Sequence, residues 1–279
     1  VRNRRFEQVD VFTGTAYRGN PLAVVLDASE LDTGEMQHFT DWTNLSEATF
    51  LLKPSDARAD YQVRIFCPGR ELPFAGHPTL GSCHAWLRAG GRPRGNLIIQ
   101  ECGIGLVSIR QQDGKLWFTA PPVRRSGPLE ESELDIIVRG LGLERTDVVA
   151  HSWCRNGPLW QAVLLRSVEK LHALHPDSSV LESRDVGAIA PCPAGSDCAF
   201  EVRAFFPKDG GTVEDPVTGS LNAGLACWMI GAGLAPARYT VCQGTALARA
   251  GRVHVERDAE GTIWIGGESV TCIEGTVLL

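Results

Sequence analysis

The sequence predicts an α+β protein of two pseudo-symmetric halves, each a mostly antiparallel β-sheet curled around one buried helix. Three observations point there. The segment Gln62-Val63-Arg64-Ile65-Phe66-Cys67-Pro68 returns as Glu201-Val202-Arg203-Ala204-Phe205-Phe206-Pro207, an offset of 202 − 63 = 139 in a chain of 279 residues. Two stretches rich in small apolar residues, 77–89 and 219–231, carry few charges, and a helix apolar on all sides is a buried one. Strand-like runs bounded by Gly and Pro fill most of the remaining sequence.

The repeat extends over four blocks in the same order. Gly19-Asn20-Pro21-Leu22-Ala23-Val24 resembles Asn156-Gly157-Pro158-Leu159 with Ala162-Val163 after it. The two strand segments above follow. Gly76-His77-Pro78-Thr79-Leu80-Gly81 then matches Gly219-Ser220-Leu221-Asn222-Ala223-Gly224, at 219 − 76 = 143. Last, Gly105-Leu106-Val107 with Leu116-Trp117-Phe118 mirrors Gly251-Arg252-Val253 with Ile263-Trp264-Ile265. A period this long means two domains rather than a solenoid, whose repeats run to roughly 20–50 residues. The expected organisation is a first half over 1–120, a linker over 121–130 and a second half over 131–279, whose last strand can return to the first half. Two like halves usually place their chemistry in the cleft between them.

Element by element, Glu7 to Phe12 alternates as a strand does, and Pro21 to Leu26 is a second strand. Residues 33–43 read as a surface helix with Met36, Phe39 and Trp42 as its apolar positions. Ala48 to Leu52 is an apolar strand, so Glu47 sits where a helix ends and a strand begins. Strands are expected at 61–67, 96–101, 104–110 and 115–119. The second half repeats the scheme after a helix at 131–142.

Composition excludes several classes. A net charge of −6 with no basic patch argues against nucleic-acid binding. No apolar run reaches the roughly 18 residues of a membrane helix, and the first residues, Val1-Arg2-Asn3-Arg4-Arg5, do not read as a secretory signal. A cytoplasmic protein is expected. The nine cysteines are scattered without a Cys-x-x-Cys pair, so reduced, mostly buried thiols are expected and no metal site. Lys53, Lys115, Lys170 and Lys208 all lie outside the repeated turns, which gives a pyridoxal mechanism no anchor; no cofactor is expected.

Functional candidates cluster at the two helix starts. The first N–H groups of a helix lack internal acceptors and carry partial positive charge, so they receive carboxylates readily. Gly76 and Gly219 open the two buried helices. Ser220 has two roles open to it, helix cap and ligand donor. His77 can donate to a ligand or orient its own turn. Asp215, in a loop rich in Gly and Asp, can cap a turn or act as an acid–base group; its neighbour Glu214 reads as solvated. Glu47 is either a helix-end charge or a proton carrier, a role that burial would favour by raising its pKa.

The motifs Val9-Asp10-Val11-Phe12-Thr13, Gly19-Asn20-Pro21-Leu22-Ala23-Val24, Asn44-Leu45-Ser46-Glu47, Phe74-Ala75-Gly76-His77-Pro78-Thr79 and Glu214-Asp215-Pro216-Val217-Thr218-Gly219-Ser220, with Gln243-Gly244, resemble the PhzF-like isomerases of phenazine biosynthesis, from about residue 6 to the C-terminus. A more distant similarity is to the diaminopimelate epimerase fold. The resemblance implies barrel-like sheets around central helices, a homodimer, Glu47 as proton carrier, and His77 and Asp215 as further catalytic positions. It also implies that Gly76, Gly219 and Ser220 hold the carboxylate of a small, amino-bearing cyclic substrate similar to trans-2,3-dihydro-3-hydroxyanthranilate. Epimerase relatives use two opposed thiols, but the turns 70–82 and 214–224 contain no cysteine. Three functions compete: an isomerase acting through Glu47, a one-base amino-acid racemase or epimerase, and a metabolite-binding protein without catalysis.

Overall fold

A computed structural model describes every residue except 209. In chain order the elements are β1 (Asn3–Val11), β2 (Asn20–Val25), α1 (Thr33–Thr43), β3 (Glu47–Leu52), β4 (Tyr61–Cys67), β5 (Arg70–Leu72), α2 (Gly76–Arg88), β6 (Ile98–Cys102), β7 (Gly105–Gln112), β8 (Lys115–Thr119), β9 (Arg125–Gly127), α3 (Glu131–Gly140), β10 (Val148–Arg155), β11 (Leu159–Leu165), α4 (Val168–His172), α5 (Ser178–Leu181), β12 (Asp185–Pro191), β13 (Phe200–Lys208), β14 (Gly211–Glu214), α6 (Gly219–Gly231), β15 (Arg238–Gln243), β16 (Gly251–Arg257), β17 (Ile263–Gly267) and β18 (Ser269–Leu278). They form two compact units, Val1–Thr119 with Gly266–Leu279, and Ala120–Ile265.

In the first unit β18 pairs antiparallel with β1, and β1 with β2. The β2–β3 pair is parallel, with Leu22 opposite Glu47, and β3–β4 is antiparallel. A parallel β4–β6 pair leads into the antiparallel β6–β7–β8 meander. Helix α2 packs against β1, β2, β3, β8 and β18, so the sheet wraps around it. Successive side chains of a strand point to opposite faces. Accordingly Thr49 receives the Ser82 hydroxyl of α2 at 2.9 Å, while Phe50 joins the edge-to-face chain Phe39–Phe50–Phe66 beneath α1.

The second unit repeats this topology. The β11–β12 and β13–β15 pairs are parallel and β10–β11, β12–β13 and β15–β16 antiparallel. Helix α6 packs on β10, β11 and β16. A glycine at the same repeat position lets each central helix approach its sheet. A Cβ on Gly81 would meet Leu22 Cδ2 at 2.6 Å, and one on Gly224 would meet the Cys154 carbonyl oxygen at 2.7 Å. The repeated strands also share an ion pair. Arg64 grips Glu71 with two hydrogen bonds (2.7 and 2.6 Å) and lies over Phe66. Arg203 grips Glu214 in the same way (3.0 and 2.7 Å) and lies over Phe205.

Four expectations need correction. Glu214 is held in that Arg203 pair with 10% of its side chain exposed rather than solvated. Trp42 is 83% exposed, whereas Met36 and Phe39 are buried; at 3.6 residues per turn, position i+6 has rotated well off the face that i and i+3 share. The stretch 121–130 carries β9, which pairs with β10, and Arg125 within it stacks 3.6 Å above the Trp153 ring. The cysteines are not all thiols: Cys198 and Cys242 are joined by a disulfide, and the other seven are free. No helix among the described residues is long and apolar enough to cross a membrane.

Candidate active site

In the first unit three chain elements begin at one place: β2 at Asn20, β3 at Glu47 and α2 at Gly76. Helix α1 delivers Glu47 by stopping at Asn44, whose left-handed backbone (φ 54°) lets the chain turn directly into β3. His77 Nε2 lies 3.3 Å from Glu47 Oε2, with 16% of the Glu47 side chain exposed. A neighbouring carboxylate favours an imidazolium, but burial of the ring wins and lowers the His77 pKa to about 3. The contact is therefore between a neutral ring and a carboxyl group. The Asn20 amide nitrogen lies 3.4 Å from His77 Nδ1. An amide N–H can only donate, so in this arrangement Nδ1 accepts and the ring proton sits on Nε2, facing Glu47.

Helix α2 has no side-chain cap, because its N-cap is Ala75. Pro78 has no N–H to offer, and the Thr79 N–H reaches the Ala75 carbonyl at 3.2 Å. The N–H groups of Gly76 and His77 thus have no intrahelical acceptor. A buried helix start left in this way is suited to an anion.

In the second unit α6 starts at Gly219 after Thr218, again without a side-chain cap. Ser220 therefore lies inside the first turn and is not the cap. Its hydroxyl receives the Trp160 indole N–H at 3.1 Å, and its carbonyl receives the Asn156 amide at 3.2 Å. Because indole N–H can only donate, Ser220 Oγ is the acceptor and keeps its own proton to give away. Asp215 is buried, and its Oδ2 accepts the Thr218 hydroxyl at 2.6 Å. Gln243, at the end of β15, binds Thr218 and Asn222.

The structure thus brings Glu47, His77 and Gly76 together in one unit, and Asp215, Gly219 and Ser220 together in the other. Asn20, Asn156, Trp160, Thr218 and Gln243 carry contacts that composition and spacing did not single out. Asn20 and Asn156 stood in matched repeat blocks, which was the available signal. The free thiols are poor bases: burial pushes Cys83 up to about 12, and also raises Cys102 and Cys227. Among the described residues one group has metal-ligand spacing, Asp197–Cys198–Cys242. Its two sulfurs are bonded to each other and Asp197 is held by Arg252 at 2.8 Å, so the donor set does not suit a metal.

Residues 9–275 match the phenazine biosynthesis-like protein family. The chain is 34% identical to trans-2,3-dihydro-3-hydroxyanthranilate isomerase of Pseudomonas aeruginosa, covering 97% of this chain and 94% of that one. It is 35% identical to antisense-enhancing sequence 1 of Schizosaccharomyces pombe, covering 97% of each. The fold is similar to a PhzF-family phenazine biosynthesis protein of Bacillus anthracis (TM-score 0.82, 24% identity, all of both chains). It is also similar to a hydroxyproline epimerase of Agrobacterium vitis (TM-score 0.64, 13% identity, all of this chain and 93% of that one). Fold and sequence agree: this chain belongs to the phenazine biosynthesis-like family and is a PhzF-type isomerase.

Proposed function

We propose that the chain moves a proton between two carbons of a small carboxylated, amino-bearing cyclic substrate, of the kind represented by trans-2,3-dihydro-3-hydroxyanthranilate, with Glu47 as the acid–base group. The observation that carries this reading is the placement of Glu47 beside a neutral His77 at an uncapped helix start. A single carboxylate takes the proton from one carbon as the double bond shifts, and returns it to another carbon on the same face. The substrate ends with the same atoms and electrons, and Glu47 ends as it began. The step needs no redox partner and no electron sink. Neutral His77 supports it by standing 3.3 Å from the carboxyl oxygen without adding a charge. The substrate carboxylate is received by the N–H groups of an uncapped helix start, that of Gly76 being the one beside Glu47; Gly219 and the Ser220 hydroxyl offer donors of the same kind at the start of α6. Asp215 holds a polar substrate group.

The thiol chemistry of two-base epimerases has little support, since the buried cysteines are held protonated. The deciding experiment is solvent exchange. Wild type and Glu47→Gln are incubated in D₂O with trans-2,3-dihydro-3-hydroxyanthranilate and a panel of cyclic amino acids. Deuterium at carbon with a shifted double bond, by wild type alone, is the expected result. Loss of optical activity at an α-carbon instead would favour a racemase. Equal exchange by both proteins would remove Glu47 from the mechanism.

A further inference from the structure

The hydrogen bonds around Asp215 have a fixed direction, and that direction starts at Gln243. The backbone N–H of Thr218 can only donate, so Gln243 Oε1 must be its acceptor, at 3.0 Å. Oε1 also receives the Asn222 amide at 3.0 Å. The other end of the Gln243 side chain is therefore the NH₂ group. It donates to the Asp215 carbonyl oxygen at 3.2 Å and to Thr218 Oγ1 at 2.9 Å. A hydroxyl has one proton. With Oγ1 already accepting from Gln243, Thr218 sends that proton to Asp215 Oδ2, 2.6 Å away.

Two features separate this chain of bonds from ordinary packing. A threonine at an N-cap normally accepts from the N–H groups of the first turn. Thr218 does not, because its hydroxyl is committed to Asp215, and the start of α6 stays uncapped. The first unit provides an internal control. Gln100 lies at the same repeat position, 243 − 100 = 143, and is equally buried. It receives the Tyr61 hydroxyl and donates to Thr79, whose own proton goes to the Ala75 carbonyl. The position matching Thr218 is Ala75 and that matching Asp215 is Leu72, at 218 − 75 = 143 and 215 − 72 = 143. In both halves the glutamine donates to a threonine hydroxyl; in the first that hydroxyl sends its proton to a backbone carbonyl, and in the second to a carboxylate.

We propose that Gln243, acting through the Thr218 hydroxyl, is the positioning residue that holds Asp215 as a proton-accepting carboxylate at the start of α6. Only the turnover arm of the test rests on the isomerase reading. Four variants are compared: Thr218→Val, which keeps the shape and removes the hydroxyl; Thr218→Ser, which keeps the hydroxyl; Gln243→Glu at about pH 8, which puts an acceptor where Nε2 donates; and Gln100→Glu, which places the same change in the other half. The structural readout is the slowly exchanging Thr218 hydroxyl proton and its scalar coupling to the Asp215 carboxyl carbon by NMR. The coupling is expected in wild type, Thr218→Ser and Gln100→Glu, and lost in Thr218→Val and Gln243→Glu. With trans-2,3-dihydro-3-hydroxyanthranilate, the two uncoupled variants should lose about tenfold or more in kcat with KM nearly unchanged, and Thr218→Ser should recover most of it. A coupling absent from wild type, or retained in Gln243→Glu, overturns the proposal whatever the activity. So does an unchanged kcat in Thr218→Val. The expected coupling pattern in a protein that does not turn over this compound would support the relay and refute trans-2,3-dihydro-3-hydroxyanthranilate as the substrate.

Discussion

Replacing His77 by glutamine should flatten the dependence of stability on pH below neutrality. The ordinary histidine pKa is 6.5 and burial lowers that of His77 to about 3 in the folded chain. The unfolded chain therefore binds a proton at this ring first as pH falls. Stability is fully present above about pH 6.5 and is lost as pH falls toward 3. At pH 5 the loss is about 1.36 × (6.5 − 5) ≈ 2 kcal/mol, and it approaches about 5 kcal/mol at pH 3. His84, also on α2, is lowered to about 4 by burial and by Arg88, so it adds a similar slope that the variant leaves in place. The carboxylates lowered by hydrogen bonding, such as Glu133 and Asp147, begin to lose their stabilisation as pH falls through their ordinary values of 4.5 and 3.8, so they add to the loss only in the lower part of this window.

The assay is urea unfolding of wild type and His77→Gln at about pH 7, 6 and 5. Glutamine loses some packing, but that loss is the same at each pH and cancels when slopes are compared. Wild type should lose about 2 kcal/mol more than the variant between pH 7 and 5. Parallel curves would refute the reasoning, as would a His77 ring resonance titrating near its ordinary value. Either result would mean that the folded chain protonates the His77 ring near its ordinary value of 6.5, so that the contact with Glu47 becomes an ion pair in mildly acidic solution.

Trp160→Phe keeps an aromatic ring in the core and removes the indole donor to Ser220 Oγ. The serine can then turn its proton elsewhere, so KM should rise severalfold with kcat less affected, measured by steady-state kinetics; an unchanged KM would free Ser220 from substrate. The two repeat-related ion pairs should differ in strength because their burial differs. Side-chain exposure is 9% for Arg203 and 10% for Glu214, against 25% and 40% for Arg64 and Glu71. Arg203→Ala leaves a buried carboxylate unpaired and should destabilise by about 3–5 kcal/mol, whereas Arg64→Ala should cost about 1 kcal/mol or less. Thermal unfolding of both variants checks the order.

Local pattern carried the elements well where one physical signal dominated. Helix α1 shows its start in Asp32 and Glu35, which form a reciprocal cap. Helix α6 is legible because it is apolar on every face. Contacts between residues far apart in sequence were not legible. Trp160 reaches Ser220 across 60 positions, and Gln243 reaches Thr218 across 25; no periodicity encodes either. The Cys198–Cys242 bond, 44 residues apart, depends on the parallel β13–β15 pairing that places Glu201 opposite Cys242. Glu214 looked solvated because a carboxylate in a Gly- and Asp-rich loop usually is; its burial follows from Arg203 on the neighbouring strand. That pairing was latent in the repeat, since Arg64 stands opposite the same kind of partner in the first half.

The duplication explains which residues could specialise. Where both halves agree, the residue serves packing: Gly81 and Gly224 admit the sheet, Arg64 and Arg203 pair with strand-borne glutamates, Gln100 and Gln243 hold the helix start. A change at such a position meets backbone or leaves a buried polar group unpaired, and each half would lose stability by it. Three of the disagreements at matched positions fall at or just before a helix start: His77 against Ser220, Ala75 against Thr218, Leu72 against Asp215. These differences fall where both halves present an uncapped helix start. One half acquired a neutral imidazole beside a carboxylate, the other a hydroxyl donor and a carboxylate whose direction is set by an inherited glutamine. A two-thiol epimerase needs the two halves to stay chemically alike; an isomerase with a single proton carrier needs them to differ, and in this chain they do.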